Sequence, residues 1–214
     1  MKLIRLFLLL LFGFCFQLNA QDKANNLLNE VSSQMSSYDT MTLDFVYSLD
    51  NAAEDVHQET EGKAYLKGDK YQISFIGNIF IYDGSQSIVI IPEDEEINVS
   101  PGNMEEEGTI TPSKLLTFYK EGYTYKWDIS MREAGKNIQF IRLVPIDSNS
   151  EVATMLLGID TDNKEIYKMI ETGKDGIVTT FTILDFNKNE DLSESLFAFD
   201  EAYYESLDYI INKY

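Results

Sequence analysis

From Thr40 onward the chain alternates. Met41, Leu43, Phe45, Tyr47 and Leu49 fall on one side of an extended backbone, and Thr40, Thr42, Asp44 and Ser48, with Val46, fall on the other. Successive side chains of a strand point to opposite faces, so this period of two requires a sheet with one face buried and one wetted. Such half-buried strands belong to antiparallel sheets. Further strands are expected around 62–67, 70–76, 79–82, 86–91 and 95–100, and then over 123–132, 137–146, 152–161, 164–172 and 177–187. Gly77-Asn78, Asp83-Gly84, Asp162-Asn163 and the stretch 173–176 supply turns between them.

Helical spacing appears in three places only. Leu27, Leu28, Val31 and Met35 predict a helix from Asp22, its N-cap, to Tyr38. Thr111-Pro112 starts a second by a capping hydroxyl followed by proline at the first helical position, and Leu115, Leu116, Phe118 and Tyr119 crowd into it before Gly122. Tyr203, Leu207, Ile210, Ile211 and Tyr214 predict a third in the tail from Glu201. About eleven strands in one sheet of this length twist and curl, leaving a concave face that must be filled. Three helices leave much of it open, so the expected fold is mainly β: a curved antiparallel half-barrel, unclosed, with helices over an apolar cavity.

The first residues set the compartment. Lys2 and Arg5 precede an apolar run from Leu6 to Phe16, and Gln17-Leu18-Asn19-Ala20 makes a polar-to-small exit. That is the layout of a secretory leader, and its apolar core falls short of the roughly 20 residues of a membrane span. The expectation is cleavage after Ala20, a single domain over 21–214 and export to the periplasm. Cys15, the chain's one cysteine, leaves with the leader, so no disulfide or thiol chemistry remains. Losing Lys2 and Arg5 takes two from 17 basic residues and leaves all 36 acids. So negative a surface repels phosphate backbones and anionic headgroups, which excludes nucleic acid as a partner.

Catalytic patterns are missing. His57, the one histidine, lies in a polar stretch with Glu54, Asp55, Gln58 and Glu59, and no Gly-x-Ser-x-Gly elbow accompanies it. No glycine-rich phosphate cradle is present, no pair of carboxylates is singled out for glycoside chemistry, and the acidic runs 93–96 and 105–107 lack the ligand spacing of a calcium loop. The expectation is a binding protein without enzyme activity, metal or cofactor.

The ordered features resemble the outer-membrane lipoprotein carrier family (LolA-type). They are the N-terminal helix, the strand with Leu43 and Phe45, Gly62-Lys63-Ala64-Tyr65-Leu66-Lys67, and a strand ending in Asp83-Gly84. Thr111-Pro112 with Leu115-Leu116, the strand from Ile138 to Pro145, and Phe197-Ala198-Phe199 follow in the same order. The resemblance implies an unclosed barrel of about eleven strands with a helical lid. It also implies a monomeric chaperone that ferries acylated lipoproteins across a Gram-negative periplasm, from an inner-membrane ABC-type exporter to an outer-membrane acceptor. Leu43, Phe45, Leu66, Phe75, Trp127 and Ile129 are then the expected cavity lining, and Leu115, Leu116 and Phe118 the lid. A sensor or structural module of the same fold, binding lipid or lipoprotein without handing it on, is the alternative. One departure bears on gating. Gly68-Asp69 stands where the family usually has Arg-Pro, whose arginine is associated with holding the lid shut. Either another group closes the lid here or the gating differs.

Overall fold

The computed structural model describes residues 22–103 and 118–214. The leader, Leu115, Leu116, the run 105–107 and the start of the second expected helix lie outside the described residues. Among the described residues there are twelve strands, and they divide between two compact units.

The first unit spans Ser36–Phe118 and Thr179–Tyr214. It contains β1 (Thr40–Asn51), β2 (Val56–Lys67), β3 (Lys70–Phe75), β4 (Asn78–Tyr82), β5 (Gln86–Ile91), β6 (Glu96–Pro101), β11 (Val178–Lys188, less its first residue) and β12 (Ile210–Lys213). They are ordered β12-β6-β5-β4-β3-β2-β1-β11. The pairings from β1 through β6 are antiparallel, and β12 joins β6 in parallel. Register defines the faces. Leu43, Ala64, Ile73, Phe80 and Val89 form one transverse row, and Phe45, Gly62 and Phe75 form the next. On the opposite face Ile81, Ile88, Ile90, Ile97 and Val99 make a buried cluster, covered by Phe199, Tyr204, Tyr209 and Ile211 of the tail.

The tail is where the expected helix fails. Helix α2 holds only Glu201–Glu205, capped by Asp200 whose side chain accepts from the Tyr203 N–H. Asp208 then takes φ 64°, the left-handed conformation that ends a helix, and Ile210 and Ile211 extend along β6. β-Branched residues suit a strand, and the free edge of β6 gives their backbone groups partners. This added strand makes twelve where the sequence suggests about eleven. The β3–β4 turn is also shifted: its central residues are Ile76 (φ 48°) and Gly77 (φ 73°), closed by the Phe75–Asn78 pair. A tight hairpin of this hand needs positive φ at both central positions, which moves the turn one residue earlier than Gly77-Asn78.

The second unit holds Tyr119–Val178 and helix α1, residues 22–35. Its strands β7 (Tyr123–Glu133), β8 (Lys136–Pro145), β9 (Val152–Asp160) and β10 (Glu165–Gly173) run in the order β10-β9-β8-β7, all antiparallel. Ile141, Leu143, Met155, Leu157 and Ile159 are fully buried, as are Val31 and Met35 of α1 and Tyr119. Two side chains tie the helix to its unit: Lys23 Nζ lies 5.5 Å from the Trp127 ring, and Glu30 pairs with Lys164 at 3.0 Å. Burial raises the Tyr119 phenol to about 12. The other face carries a smaller cluster of Ile138, Phe140 and Tyr167, with Leu156 and Ile170 against it.

Candidate functional site

Four of the six expected lining residues share one face of the eight-stranded unit. Leu43 and Phe45 alternate along β1; Leu66 lies on that face through its pairing with Met41, and Phe75 through Gly62, which pairs with Phe45. Leu43, Phe45 and Leu66 are buried, while Phe75 is only partly covered. Ring contacts extend the set. Phe45 and Phe75 have centroids 5.7 Å apart, Phe45 and Phe181 4.8 Å, and Tyr47 meets Phe75 edge-on at 5.6 Å. Tilted and edge-on pairs of this kind suit the aromatic quadrupole.

The aromatic layer lies close to the backbone because of a glycine. A Cβ on Gly62 would fall 2.3 Å from Phe45 Cζ, so the ring occupies the space any other residue would need. The second unit repeats the device: Phe140 faces Gly158 across β8–β9, and a Cβ there would sit 2.8 Å from Phe140 Cε1. Around the buried residues Leu43, Phe45 and Leu66 the face is less covered. Tyr47, Ile73, Phe75, Phe80 and Tyr82 all keep part of their surface uncovered. Large apolar side chains left partly exposed on one face are of the kind at which apolar ligands bind.

The remaining expected residues lie elsewhere. Trp127 stands on β7 of the four-stranded unit, partly buried and opposite Ile141. Ile129 is 55 % exposed. The β7–β8 register shifts between Trp127 and Ser130, and this irregularity removes Ile129 from the alternation that Trp127 obeys. Phe118 begins a 3-10 turn, Phe118–Lys120. Alternation does not reveal Phe181, set among threonines in β11, because its contact with Phe45 depends on strand order.

Gly68 and Asp69 form the β2–β3 turn, and a latch of ionic contacts crosses it. Lys67 and Lys70 both grip Glu194, at 2.8 Å each, and Lys67 Nζ also donates to the Leu192 carbonyl at 3.1 Å. These two hydrogen-bonded lysines hold the Glu194 carboxyl down at about 2. The latch fixes the segment leading into the tail against the β2–β3 turn.

Carboxylates elsewhere in the four-stranded unit are mostly paired. Asp128 binds Arg142 Nε at 2.7 Å, Asp160 accepts from the Asp162 N–H and Asn163, and Glu133 pairs with Lys168. Glu171 differs. It sits on β10 opposite Met155, in the transverse row of Leu143 and Tyr125, partly buried, and burial pushes its carboxyl above the usual carboxylate range. Burial, and after it the charge of Glu171, raises the Tyr123 phenol.

Among the described residues no helix is long and apolar enough to cross a membrane. No curated protein matches the chain. A conserved protein of Thermus thermophilus shares the fold at TM-score 0.60 and 11 % identity, over 90 % of this chain and 99 % of its own. LprF of Mycobacterium bovis does so at 0.52 and 10 %, over 80 % and 95 %. A LolA superfamily protein of Nitrosomonas europaea aligns at 0.43 and 12 %, over 82 % and 97 %. In sequence, the family described as Outer membrane lipoprotein carrier protein LolA matches residues 36–200, most of the chain and all of the strands from β1 to β11. The chain therefore belongs to the LolA family.

Proposed function

We propose that the protein is a periplasmic carrier. It takes up the acyl chains of lipoproteins, receives them from an inner-membrane ABC-type exporter and gives them to an outer-membrane acceptor, acting as a monomer without catalysis. The family match over residues 36–200 carries this reading, and the partly uncovered side chains of Tyr47, Ile73, Phe75 and Phe80 on one face support it. Each methylene moved out of water is worth about 0.8 kcal/mol, so one chain of roughly sixteen carbons needs on the order of 12 kcal/mol of apolar shelter. A broad aromatic and aliphatic face is suited to provide it. We assign Phe75 to that surface, Leu43, Phe45 and Leu66 to the buried layer that backs it, and Trp127 and Ile129 to acyl contacts made by the four-stranded unit. Leu115, Leu116 and Phe118 are assigned to the cover that shields the surface when empty.

Titration with a fluorescent fatty-acyl probe tests the binding surface. Phe75→Glu and Leu116→Glu should each weaken binding at least tenfold, while Leu184→Glu, at a side chain 59 % exposed, should not. Unchanged binding in both of the first two variants rules out the assignment. A second assay follows lipoprotein from loaded vesicles to acceptor vesicles: binding without transfer favours a sensor or structural module.

A further inference from the structure

β12 ends the strand order of the eight-stranded unit, and among the described residues no strand lies beyond it. Ile210 N–H donates to the Glu95 carbonyl at 2.8 Å, and Tyr214 N–H donates to the Val99 carbonyl at 3.0 Å. A parallel ladder bonds alternate residues of a strand, so Ile210, Asn212 and Tyr214 turn their backbone groups to β6. The N–H and C=O of Ile211 and Lys213 therefore point to the open edge, where an extended chain can pair with them.

The side chains beside that edge differ from those at the centre of the same face. The row through Ile73, Phe80 and Val89 continues into Asn98 of β6 and Asn212 of β12, and Ile91 continues into Glu96 and Ile210. Asn212 Nδ2 donates to Glu96 Oε1 at 2.7 Å and to Asn98 Oδ1 at 3.2 Å. In these rows the face is apolar as far as β5 and becomes a strip of amide and carboxylate groups at β6 and β12. Ile210, 63 % exposed, and Tyr214, 78 % exposed, stand at the two ends of the strip. Hydrocarbon gains little from such groups, whereas a polypeptide can hydrogen-bond with them.

Charge narrows the choice of occupant. Glu93, Asp94 and Glu95 in the β5–β6 turn and Glu205 and Asp208 in the tail are exposed, and none has a basic partner among the described residues. Lys213, the base on β12 itself, is held by Glu201 at 2.7 Å. An edge so surrounded favours a segment carrying lysine or arginine and repels a second copy of this acidic chain. Resting on the carrier reading, we infer that the edge of β12 docks the extended, basic polypeptide segment that follows the acylated residue of the cargo. The segment adds to the sheet as a further strand, while its acyl chain lies on the apolar part of the same face.

Isothermal titration of the mature protein compares a diacyl-S-glyceryl-cysteine amide with three ligands that extend it by a short peptide. The extensions are alternating Lys-Thr, the same sequence N-methylated throughout, and alternating Glu-Thr. The Lys-Thr ligand should bind about tenfold more tightly than the unextended lipid, and the other two should lose that gain. Amide hydrogen exchange at Ile211 and Lys213 should slow at least tenfold with the Lys-Thr ligand and stay unchanged with the unextended one. Equal affinity of the Lys-Thr and unextended ligands overturns the docking edge and leaves acyl binding standing. So does a gain that survives N-methylation or the change to Glu-Thr, or that leaves both amides unprotected. Protection of both amides in the ligand-free protein, with a dimer in sedimentation, puts a second copy on the edge and overturns it too. No binding of any of the four ligands overturns the carrier reading and the docking edge with it.

Discussion

Gly62 and Gly158 show how much depends on a missing side chain. Each faces a phenylalanine across its strand pair, Phe45 and Phe140, which lies where a Cβ would project. Adding a methyl forces a buried ring off its rotamer, so Gly62→Ala and Gly158→Ala should each cost about 1–3 kcal/mol in urea unfolding, with the larger effect at Gly62 where the overlap is closer. The glycines are visible in the sequence, but their partners are not, because pairing depends on register that one strand cannot specify. Ile129 is the converse. Strict alternation places it beside Trp127, yet the irregularity between Trp127 and Ser130 turns it to solvent. At Glu194 the residue scale gives a pH dependence. Its folded value of about 2 is below the ordinary 4.5, so the latch to Lys67 and Lys70 contributes fully above about pH 4.5 and is lost as pH falls toward 2. A carboxyl titration by NMR should place the Glu194 midpoint near 2 and, in a Lys67→Met/Lys70→Met variant, return it toward 4.5. Because the pair is exposed, added salt should move the midpoint in the same direction.

The strands of this protein are legible because alternation is a local property. Those from β1 to β11 appear where the period of two predicts them, with ends moved by a few residues, β2 most of all since its first half from Val56 is polar and exposed. The tail is not legible in the same way. Tyr203, Leu207, Ile210, Ile211 and Tyr214 repeat at helical spacing, but only Glu201–Glu205 is helical. The decisive partner of Ile210 and Ile211 is the edge of β6, more than a hundred residues earlier. Two neighbouring substitutions separate the alternatives. Ile211 packs on the cluster of Ile88, Ile97 and Val99, whereas Ile210 is 63 % exposed. Ile211→Glu should therefore cost about 1–3 kcal/mol and Ile210→Glu no more than about 0.5. Similar losses at both positions contradict the strand.

At the scale of the whole chain, composition and order together point to binding rather than catalysis, and the family match agrees with the order of features along the sequence. What the sequence leaves open is which of its many large apolar side chains remain uncovered. Burial separates Leu43, Phe45 and Leu66, which are closed off, from Tyr47, Ile73, Phe75 and Phe80, which are not. That division depends on what packs against each strand in three dimensions, which a pattern of alternating residues does not encode. Carriage also requires that the uncovered surface be hidden between loads, since a bare apolar patch of this kind promotes association. The central claim is that this surface holds acyl chains in the cell. Native mass spectrometry of the protein isolated from the periplasm without detergent tests it most directly. The account predicts a fraction of molecules carrying the extra mass of one acylated polypeptide, released on addition of acceptor membranes. A single mass for the bare chain, unchanged after incubation with lipoprotein-loaded vesicles, contradicts it.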